Sequence, residues 1–479
     1  MGARITVADT RPHPPERDAL RDLVPEAVFV HSSFDQTLHQ FGPFSRILKS
    51  PGIAPADAQA VLCPEVPELT SYGGEVELFV EALAELSRSE SYLPKVLAIT
   101  GTNGKTTVTS LTGKMVERAG KTVAVAGNIG PTLLTTLMEK ADAQAMPEVW
   151  VLELSSFQLQ GVENFQPTAA ALLNVSEDHL DWHGSMTTYV NAKKRIFGSL
   201  GRRILNRDDP VSIACRPQST SNSKSSLKDV AAVQTFGKDL PTEPGDYGIE
   251  TTNGMSWLVR AMDSDGQKRK RSEIAEQIHL QRLMPVDALR IKGRHNMMNA
   301  LAALALGEAA GCPLAPMLFG LREYRGEPHR VEFIGRIQGI DFVDDSKGTN
   351  VGATAAALYG LGADQQLVAI LGGVGKGQDF TPLAKPIADH ARAVVLIGRD
   401  GALIADALGP LDIPVRYASS MAQAVKVGLD LGQSGDAVLL SPACASFDMF
   451  ENYVHRAEVF RESVEQLALE SGNTLEGAM

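Results

Sequence analysis

The sequence lacks any uninterrupted apolar run near the roughly 18 residues that a membrane span requires. Its N-terminal stretch also lacks the apolar segment of a secretory signal and carries charged residues and prolines instead. We therefore expect neither a transmembrane nor a secreted protein, and we expect a cytoplasmic location.

The sequence also has few cysteines, and its acidic residues outnumber its basic ones. The formal net charge of -12 disfavours sequence-independent binding of nucleic acid, which requires surplus lysine and arginine against the phosphates. The one basic run, over 268–271, is interpreted as a solvated loop tip. Because the four cysteines are widely spaced without a CxxC pair, neither a zinc site nor a disulfide framework is indicated. They are Cys63, Cys215, Cys312 and Cys444.

What is present predicts an α/β protein of several domains. A chain of 479 residues is long enough for about three domains of roughly 150 residues each. Strands alternate with helical segments through most of the chain, which is typical of mainly parallel, doubly wound sheets. We predict a small Rossmann-like domain over 1–92, a central P-loop ATPase-like domain over 93–326 and a Rossmann-like domain over 327–479.

The strongest local signal is a glycine-rich loop between a strand, KVLAIT, and a helix. Backbone N–H groups and the helix dipole can hold a phosphate at such a loop. Lys105 would reach the β and γ phosphates and Thr106 would offer its hydroxyl to magnesium. The usual P-loop spacing puts glycine where Ile99 stands, so the loop is a variant; the alternative is a turn with an incidental lysine. The loop residues are Gly101, Thr102, Asn103, Gly104, Lys105, Thr106 and Thr107.

Two acidic residues and a histidine follow the next strands. Glu153 ends the strand EVWVLEL, and Asp178 and His179 come after the strand TAAALLNV. Ligands of open α/β sheets bind at the carboxyl ends of strands, so these groups should face the crevice of the glycine-rich loop. Glu153 with Thr106 fits a magnesium site, because hard cations prefer carboxylate and hydroxyl oxygens. Each residue could instead be structural.

Lys193 falls inside an apolar stripe of a helix predicted over 186–200, whereas Lys194 lies on another face. A semi-buried lysine can lose its proton, and the neutral amine can take up carbon dioxide to form a carbamate. The carbamate would be an anionic ligand for a second magnesium ion. The alternative is a lysine that snorkels to solvent.

These segments, with several others, resemble the motifs of the Mur ligase family. The central motifs are GTNGKTT, GNIG, LELSSFQL, NVSEDHLD and AKKRIF. The motifs SPGIA, DDSKGTN, GGVGKGQDF and SPACASFD are most similar to the branch of the family that adds D-glutamate to UDP-N-acetylmuramoyl-L-alanine. The resemblance covers nearly the whole chain and its motifs occur in order. It implies an ATP-dependent amide ligase of peptidoglycan precursor synthesis that works through an acyl phosphate.

The resemblance also implies a role for individual residues. Lys105, Glu153, His179 and Lys193 would be catalytic, with Thr106 and Glu153 at a first magnesium ion and His179 and carbamoylated Lys193 at a second. The nucleotide would further contact Asn296, Asn299, Arg330, Asp345 and Lys347. The UDP-linked substrate would contact Asp9, Thr10, Arg11, Asn128, Ser155, Gln158 and His179. The D-glutamate pocket would consist of Thr349, Lys376, Ser446, Phe447 and Tyr453, the last of which is phenylalanine in the family pattern.

The start of the chain departs from that pattern. Family members begin with a strand, a glycine-rich turn and a helix, whereas this sequence begins close to the second strand, so we expect the UDP-binding domain to lack its first βα unit. Two alternatives remain open: another Mur or folylpolyglutamate-type ligase, and a nucleotide-binding homologue without ligase activity. We expect a monomer.

Overall fold

The structure is a computed structural model, and it describes residues 4–14, 17–33, 37, 40, 44–53, 71–217, 232–263, 278–291, 293–362, 365–472 and 475. The basic run over 268–271 and Cys63 lie outside the described residues. The other three cysteines are buried and free. Within the described ranges, no helix has the length and apolarity that crossing a membrane requires.

The described residues of the N-terminal part include two small parallel strand pairs and the helices α1 and α2. Strand β1 (Thr6–Asp9) pairs with β2 (Val28–His31), and β3 (Arg46–Leu48) pairs with β4 (Ser71–Gly73). Helix α1 (Arg17–Leu23) connects the first pair. The longer helix α2 follows β4, and its Phe79 packs edge-on against Trp150 at a ring-centroid distance of 5.1 Å. The bounds of α2 are Glu75–Glu90.

The central part is built on a nine-stranded sheet with the order β13-β12-β11-β10-β9-β8-β5-β7-β6. Strands β5 to β11 run parallel, and β11, β12 and β13 are antiparallel neighbours. Strand β8 is apolar along its length, β7 is apolar up to its last residue Glu153, and both are buried, as expected for a parallel sheet covered on both faces. Strand β5 lies between β7 and β8, so their carboxyl ends meet. The bounds are β5 Lys95–Thr100, β6 Val123–Gly127, β7 Val149–Glu153, β8 Ala169–Leu172, β9 Arg202–Asn206, β10 Val233–Phe236, β11 Tyr247–Thr252, β12 Met255–Asp263 and β13 Ile278–Pro285.

Helices cover both faces of this sheet. One face carries the hydrophobic core shared by α3, α9 and α10, and the other carries a core to which α2 and α4 contribute. The bounds are α3 Lys105–Arg118, α4 Leu133–Asp142, α5 Ser156–Leu159, α6 Leu180–His183, α7 Met186–Lys194, α8 Pro210–Ile213, α9 Arg294–Ala309 and α10 Leu314–Glu323.

The helix predicted over 186–200 is shorter than the prediction, because α7 ends at Lys194. The chain then turns at Gly198, where an added Cβ would lie 2.4 Å from Gln166 Oε1. The same Gln166 oxygen accepts a hydrogen bond from Ser199 N at 2.9 Å. Leu200, which the prediction placed on the apolar stripe, is 71% exposed. The apolar pattern therefore extends beyond the helix, into a segment that is held by its contact with Gln166.

The C-terminal part has a six-stranded sheet with the order β14-β15-β19-β16-β17-β18. Only its first pair, β14 and β15, is antiparallel. Helices α11, α12 and α13 pack on one face, and α14 and α15 on the other. The predicted α/β class, with a large mainly parallel sheet followed by a second Rossmann-like sheet, is confirmed. The bounds are β14 Glu332–Ile337, β15 Ile340–Asp344, α11 Val351–Gly362, β16 Leu367–Gly372, α12 Ala384–His390, β17 Ala391–Ile397, α13 Gly401–Leu408, β18 Val415–Tyr417, α14 Met421–Leu431, β19 Ala437–Leu440 and α15 Tyr453–Glu470.

Candidate active site

The glycine-rich loop connects β5 directly to α3, as predicted. Gly104 precedes the first residue of α3 and has φ of +81°, a conformation that favours glycine. An added Cβ at this position would lie 2.6 Å from Asn299 Oδ1 of α9. The loop is also tied to the end of β8, because Asn103 N donates to Asn174 Oδ1 at 2.9 Å and Asn174 Nδ2 donates back to Asn103 O at 3.1 Å. The loop conformation is thus held from both sides.

Lys105 is half-buried at this loop. Its Nζ donates to the carbonyl oxygens of Gly101 at 2.9 Å and Thr102 at 2.8 Å. Burial lowers the pKa of its amine, and the nearby carboxylate of Glu153 opposes that shift. The Lys105 amine therefore lies at the loop, where it could contact a phosphate that the loop binds.

Glu153, at the end of β7, is 2% exposed. Its Oε1 accepts a hydrogen bond from Asn128 Nδ2 at 2.8 Å, and its Oε2 has no hydrogen-bond partner among the described residues. A buried carboxylate oxygen without a donor is costly unless a cation or a ligand satisfies it. The chemistry of Glu153 therefore fits a magnesium ligand, and that role stays a prediction.

Lys193 is 1% exposed, and its neighbour Lys194 is exposed, as the apolar stripe indicated. The Lys193 amine donates to Gly101 O at 2.8 Å and lies 4.6 Å from the centre of the Tyr189 ring. Burial and the charge of Lys105 hold the pKa of this amine well below its ordinary value. The amines of half-buried Lys105 and buried Lys193 thus share the Gly101 carbonyl, and the lowered pKa of Lys193 favours its neutral form. A neutral buried amine is the form that can react with carbon dioxide, and carbamoylation of Lys193 stays a prediction.

Asp178 and His179 follow β8 and face the same crevice. His179 has φ of +55°, and its Nε2 lies 3.5 Å from Asp178 Oδ2. Burial lowers the pKa of the imidazole, the Asp178 carboxylate partly opposes that shift, and the charges of Lys376, Lys105 and Lys193 add to it. The neutral form, which can ligate a cation through a ring nitrogen, is therefore favoured.

Ser155 and Gln158 cap the short helix α5. Gln158 Oε1 accepts from both the backbone N and the hydroxyl of Ser155 at 3.0 Å, and Gln158 N donates to Ser155 Oγ at 3.2 Å. This reciprocal pair is a capping box. The two side chains therefore have a structural role beside Glu153, and their contact with a substrate stays a prediction.

Asp9, Thr10 and Arg11 lie at the end of β1, in the N-terminal part that precedes the central sheet in the sequence. The Arg11 guanidinium, 2.8 Å from Asp9 Oδ2, lowers the pKa of Asp9 to about 2. His31 Nε2, at the end of β2, lies 3.2 Å from Thr10 O. Polar groups therefore gather at the carboxyl ends of these two strands, where ligands of parallel sheets bind.

A cavity of about 370 Å³ separates the glycine-rich loop from the C-terminal part. Seven of the predicted nucleotide residues line it: Asn103, Gly104, Thr107, Asn296, Asn299, Arg330 and Asp345. Arg330 reaches across the cleft, since its Nη2 donates to Thr106 Oγ1 at 2.7 Å. The Thr106 hydroxyl, which the sequence analysis assigned to magnesium, therefore also accepts a hydrogen bond from the C-terminal part.

Asp345 and Lys347 are the two charged groups of the loop after β15. Ser441 Oγ donates to Asp345 Oδ2 at 2.6 Å, yet burial raises the pKa of this carboxyl to about 7. Burial lowers the pKa of Lys347 to about 8, and the Arg330 charge adds to the shift. The Lys347 amine lies 5.4 Å from the centre of the Tyr453 ring, which brings the nucleotide loop next to the predicted amino-acid pocket.

The remaining residues of the predicted D-glutamate pocket come from three loops. Thr349 and Asn350 precede α11, and Asn350 Nδ2 donates to Asp178 Oδ2 at 3.2 Å across the cleft. Lys376 follows β16 with φ of +52°. Ser446 is buried, whereas Phe447 is 73% exposed. Two members of the predicted set, Lys376 and Phe447, are exposed to solvent in this structure.

Comparison with known proteins places this geometry in a family. The model of the Mur ligase middle domain matches residues 99–307, and that of the Mur ligase glutamate ligase domain matches residues 329–444. This chain belongs to the Mur ligase family.

Similar curated proteins match along nearly their whole length. A protein of Albidiferax ferrireducens is 56% identical over 477 residues, which cover 100% of this chain and 94% of that protein. One of Polaromonas sp. is 48% identical and one of Burkholderia mallei is 51% identical, each over 99% of this chain and over 95% and 94% of those proteins. All three are named UDP-N-acetylmuramoylalanine--D-glutamate ligase.

Solved structures of other members of the Mur ligase family share the fold. MurF ligase from Thermotoga maritima, in complex with ADP, superposes with a TM-score of 0.60 at 13% identity and covers 98% of both chains. The UDP-N-acetylmuramate-alanine ligase of the same organism superposes with a TM-score of 0.53 at 20% identity, over 96% of this chain and 93% of the other.

Some contributors to this Mur ligase site escaped the sequence-based prediction. Asn174 holds the loop backbone, and the Tyr189 hydroxyl shares a hydrogen bond of 2.9 Å with Thr102 Oγ1. His295 lines the nucleotide cavity. The position of Asn174 directly after an apolar strand was a usable signal, because strand ends carry the site in such sheets. Tyr189 and His295 gave none, since a tyrosine in an apolar stripe and a histidine at a helix start are ordinary structural residues.

Proposed function

We propose that this chain is an ATP-dependent ligase that joins D-glutamate to UDP-N-acetylmuramoyl-L-alanine through an amide bond, a step of peptidoglycan precursor synthesis. The observation that carries this proposal is the grouping of buried Glu153 and Lys193 with half-buried Lys105 around one phosphate loop, in a chain 56% identical to a ligase of that name. We place the reaction in the cytoplasm and propose a monomer.

The reaction has two balanced steps. An oxygen of the alanyl carboxylate attacks the γ phosphorus, the bond to the bridging oxygen breaks, and ADP leaves. The neutral amine of D-glutamate then attacks the acyl carbon, the carbon–oxygen bond to phosphate breaks, and phosphate leaves as the nitrogen loses a proton. The charge of Lys105 offsets the repulsion between the carboxylate and the triphosphate.

Four residues fit the two magnesium sites of this proposal. Thr106 and Glu153 would hold one ion, and the orphaned Oε2 of Glu153 is the oxygen that supports it. Neutral His179 and a carbamate on Lys193 would hold the other. Bound magnesium would neutralise developing phosphate charge.

The substrates would occupy different parts of the chain. We assign residues 1–92, 93–326 and 327–479 to the UDP-linked substrate, ATP and D-glutamate, respectively. The polar strand ends at Asp9, Thr10 and Arg11 support the first assignment, and the cavity beside the phosphate loop supports the second. For the third, Lys376 with the hydroxyls of Thr349 and Ser446 suits an amino acid with two carboxylates.

A phosphate-release assay tests the proposal. We expect phosphate from ATP only when UDP-N-acetylmuramoyl-L-alanine and D-glutamate are both present, with L-glutamate and D-alanine as control amino acids. The Lys105→Ala variant controls for contaminating ATPases. Turnover with folate and glutamate would indicate a folylpolyglutamate-type ligase, and ADP binding without release in any combination would indicate a nucleotide-binding homologue.

A further inference from the structure

Arg456, in the first turns of α15, is one of the largest fully buried side chains of the described structure. It is 0% exposed, and its hydrogen bonds go to uncharged oxygens. Burial lowers the pKa of its guanidinium to about 10, so the group stays charged at neutral pH. The carboxylates of Asp344, Asp345 and Asp448 attract this charge but accept none of its three hydrogen bonds. Burial of the charge is therefore costly, and an apolar side chain of similar volume would fill the space more favourably.

The three nitrogen donors of Arg456 connect two loops. Nε donates to Ser346 Oγ at 2.9 Å and Nη2 to Ser346 O at 2.7 Å, while Nη1 donates to Cys444 O at 3.1 Å. Ser346 Oγ in turn donates to Tyr453 O at 2.8 Å. The planar fork of arginine can hold both loops at once, which a lysine cannot do.

Each of these contacts is next to predicted ligand-binding residues. Ser346 lies between Asp345 and Lys347 of the nucleotide loop, and Cys444 lies two residues before Ser446. The contacts do not serve only to dock α15, because that helix already packs into the core of the sheet through Phe460 and two later residues.

We propose that Arg456 is a positioning residue that fixes the nucleotide loop and the amino-acid loop relative to each other, so that the two binding sites form together. The amino-acid half of this inference rests on the proposed function. The nucleotide half does not, since it requires only that Asp345 and Lys347 face the nucleotide.

The test compares Arg456→Lys and Arg456→Met with Val464→Ala, a control on the same helix that perturbs only the hydrophobic core. For the arginine variants we expect the KM values for ATP and D-glutamate to rise together by about tenfold or more, because small displacements of binding groups have effects of this size. The KM for the UDP-linked substrate should change less than about twofold, as expected for a site that these loops do not form. Val464→Ala should lower the melting temperature and leave all three KM values unchanged.

ADP binding, followed by calorimetry, separates failure of this inference from failure of the proposed function. If wild-type protein does not turn over D-glutamate but Arg456→Lys still weakens ADP binding, the function is wrong and the nucleotide half stands. Unchanged KM values in Arg456→Lys, or a rise in only one of them, would overturn the coupling. If Arg456→Met does not fold, Arg456→Lys and Ser346→Ala decide, and Ser346→Ala should show a smaller rise of the same two KM values.

Discussion

Replacing Gly104 by alanine should weaken nucleotide binding by an amount that the loop geometry sets. Alanine in the left-handed conformation at φ +81° costs about 1–2 kcal/mol. The added Cβ would lie 2.6 Å from Asn299 Oδ1, so this side chain must move and lose its hydrogen bond of 3.0 Å from Nδ2 to Asn296 Oδ1, worth about 1 kcal/mol. Together, the two costs destabilise the phosphate-binding conformation of the loop by about 2–3 kcal/mol. This corresponds to a roughly 30- to 150-fold weaker binding of MgADP.

Gly120 provides the matched control at the other end of α3. It has φ of +79°, and an added Cβ there would meet nothing within 4 Å. Gly120→Ala should therefore lower the free energy of unfolding by about 1–2 kcal/mol without changing MgADP affinity. Titration calorimetry of both variants and their unfolding in urea make the comparison. Equal affinities for MgADP in Gly104→Ala and wild-type protein would refute the reasoning, and so would an equal loss in both variants.

Three further predictions concern charged groups of the site. Lys376→Ala should raise the KM for D-glutamate, by an amount equivalent to roughly 2–5 kcal/mol if substrate binding desolvates the pair of this exposed amine with a carboxylate; steady-state kinetics measures this. Lys193→Ala should be nearly inactive and partly rescued by a short carboxylic acid that replaces the carbamate, as phosphate release would report. Asp345→Asn should flatten the pH dependence of stability. The folded pKa of about 7 exceeds the unfolded value of 3.8, so Asp345 stabilises the protein below pH 4, and this contribution is lost as pH rises through 7. The loss is at most about 4 kcal/mol, measured as the free energy of unfolding in urea without nucleotide.

Each of these predictions has an outcome that would contradict it. Equal turnover of D-alanine and D-glutamate by the wild-type protein would contradict the assignment of Lys376 to a carboxylate of D-glutamate. Full activity of Lys193→Ala without added acid would exclude a required carbamate, and Lys194→Ala, which changes an exposed neighbour, is the control for loss of charge. An identical pH dependence of stability in Asp345→Asn and wild-type protein would show that this carboxyl is ionised when folded.

The sequence by itself determined the α/β class, the phosphate loop and the burial of Lys193. Each of these depends on local order along the chain. Apolar runs without alternation predict strands buried on both faces, and glycine followed by lysine at a helix start predicts a loop that holds phosphate. A lysine within an apolar stripe has to face the interior because the helical repeat puts it there.

Only the tertiary structure decided which side chains meet. The order β6-β7-β5-β8 puts Asn128 against Glu153 and Asn174 against Asn103, and no local pattern contains that order. Arg330 reaches Thr106 from 224 positions away. Arg456 joins two loops from a helix whose apolar pattern shows only that it packs on the sheet. Such contacts depend on crossover connections and on the closure of long segments. The packing of the whole chain decides how these segments come together, and no single stretch of sequence does.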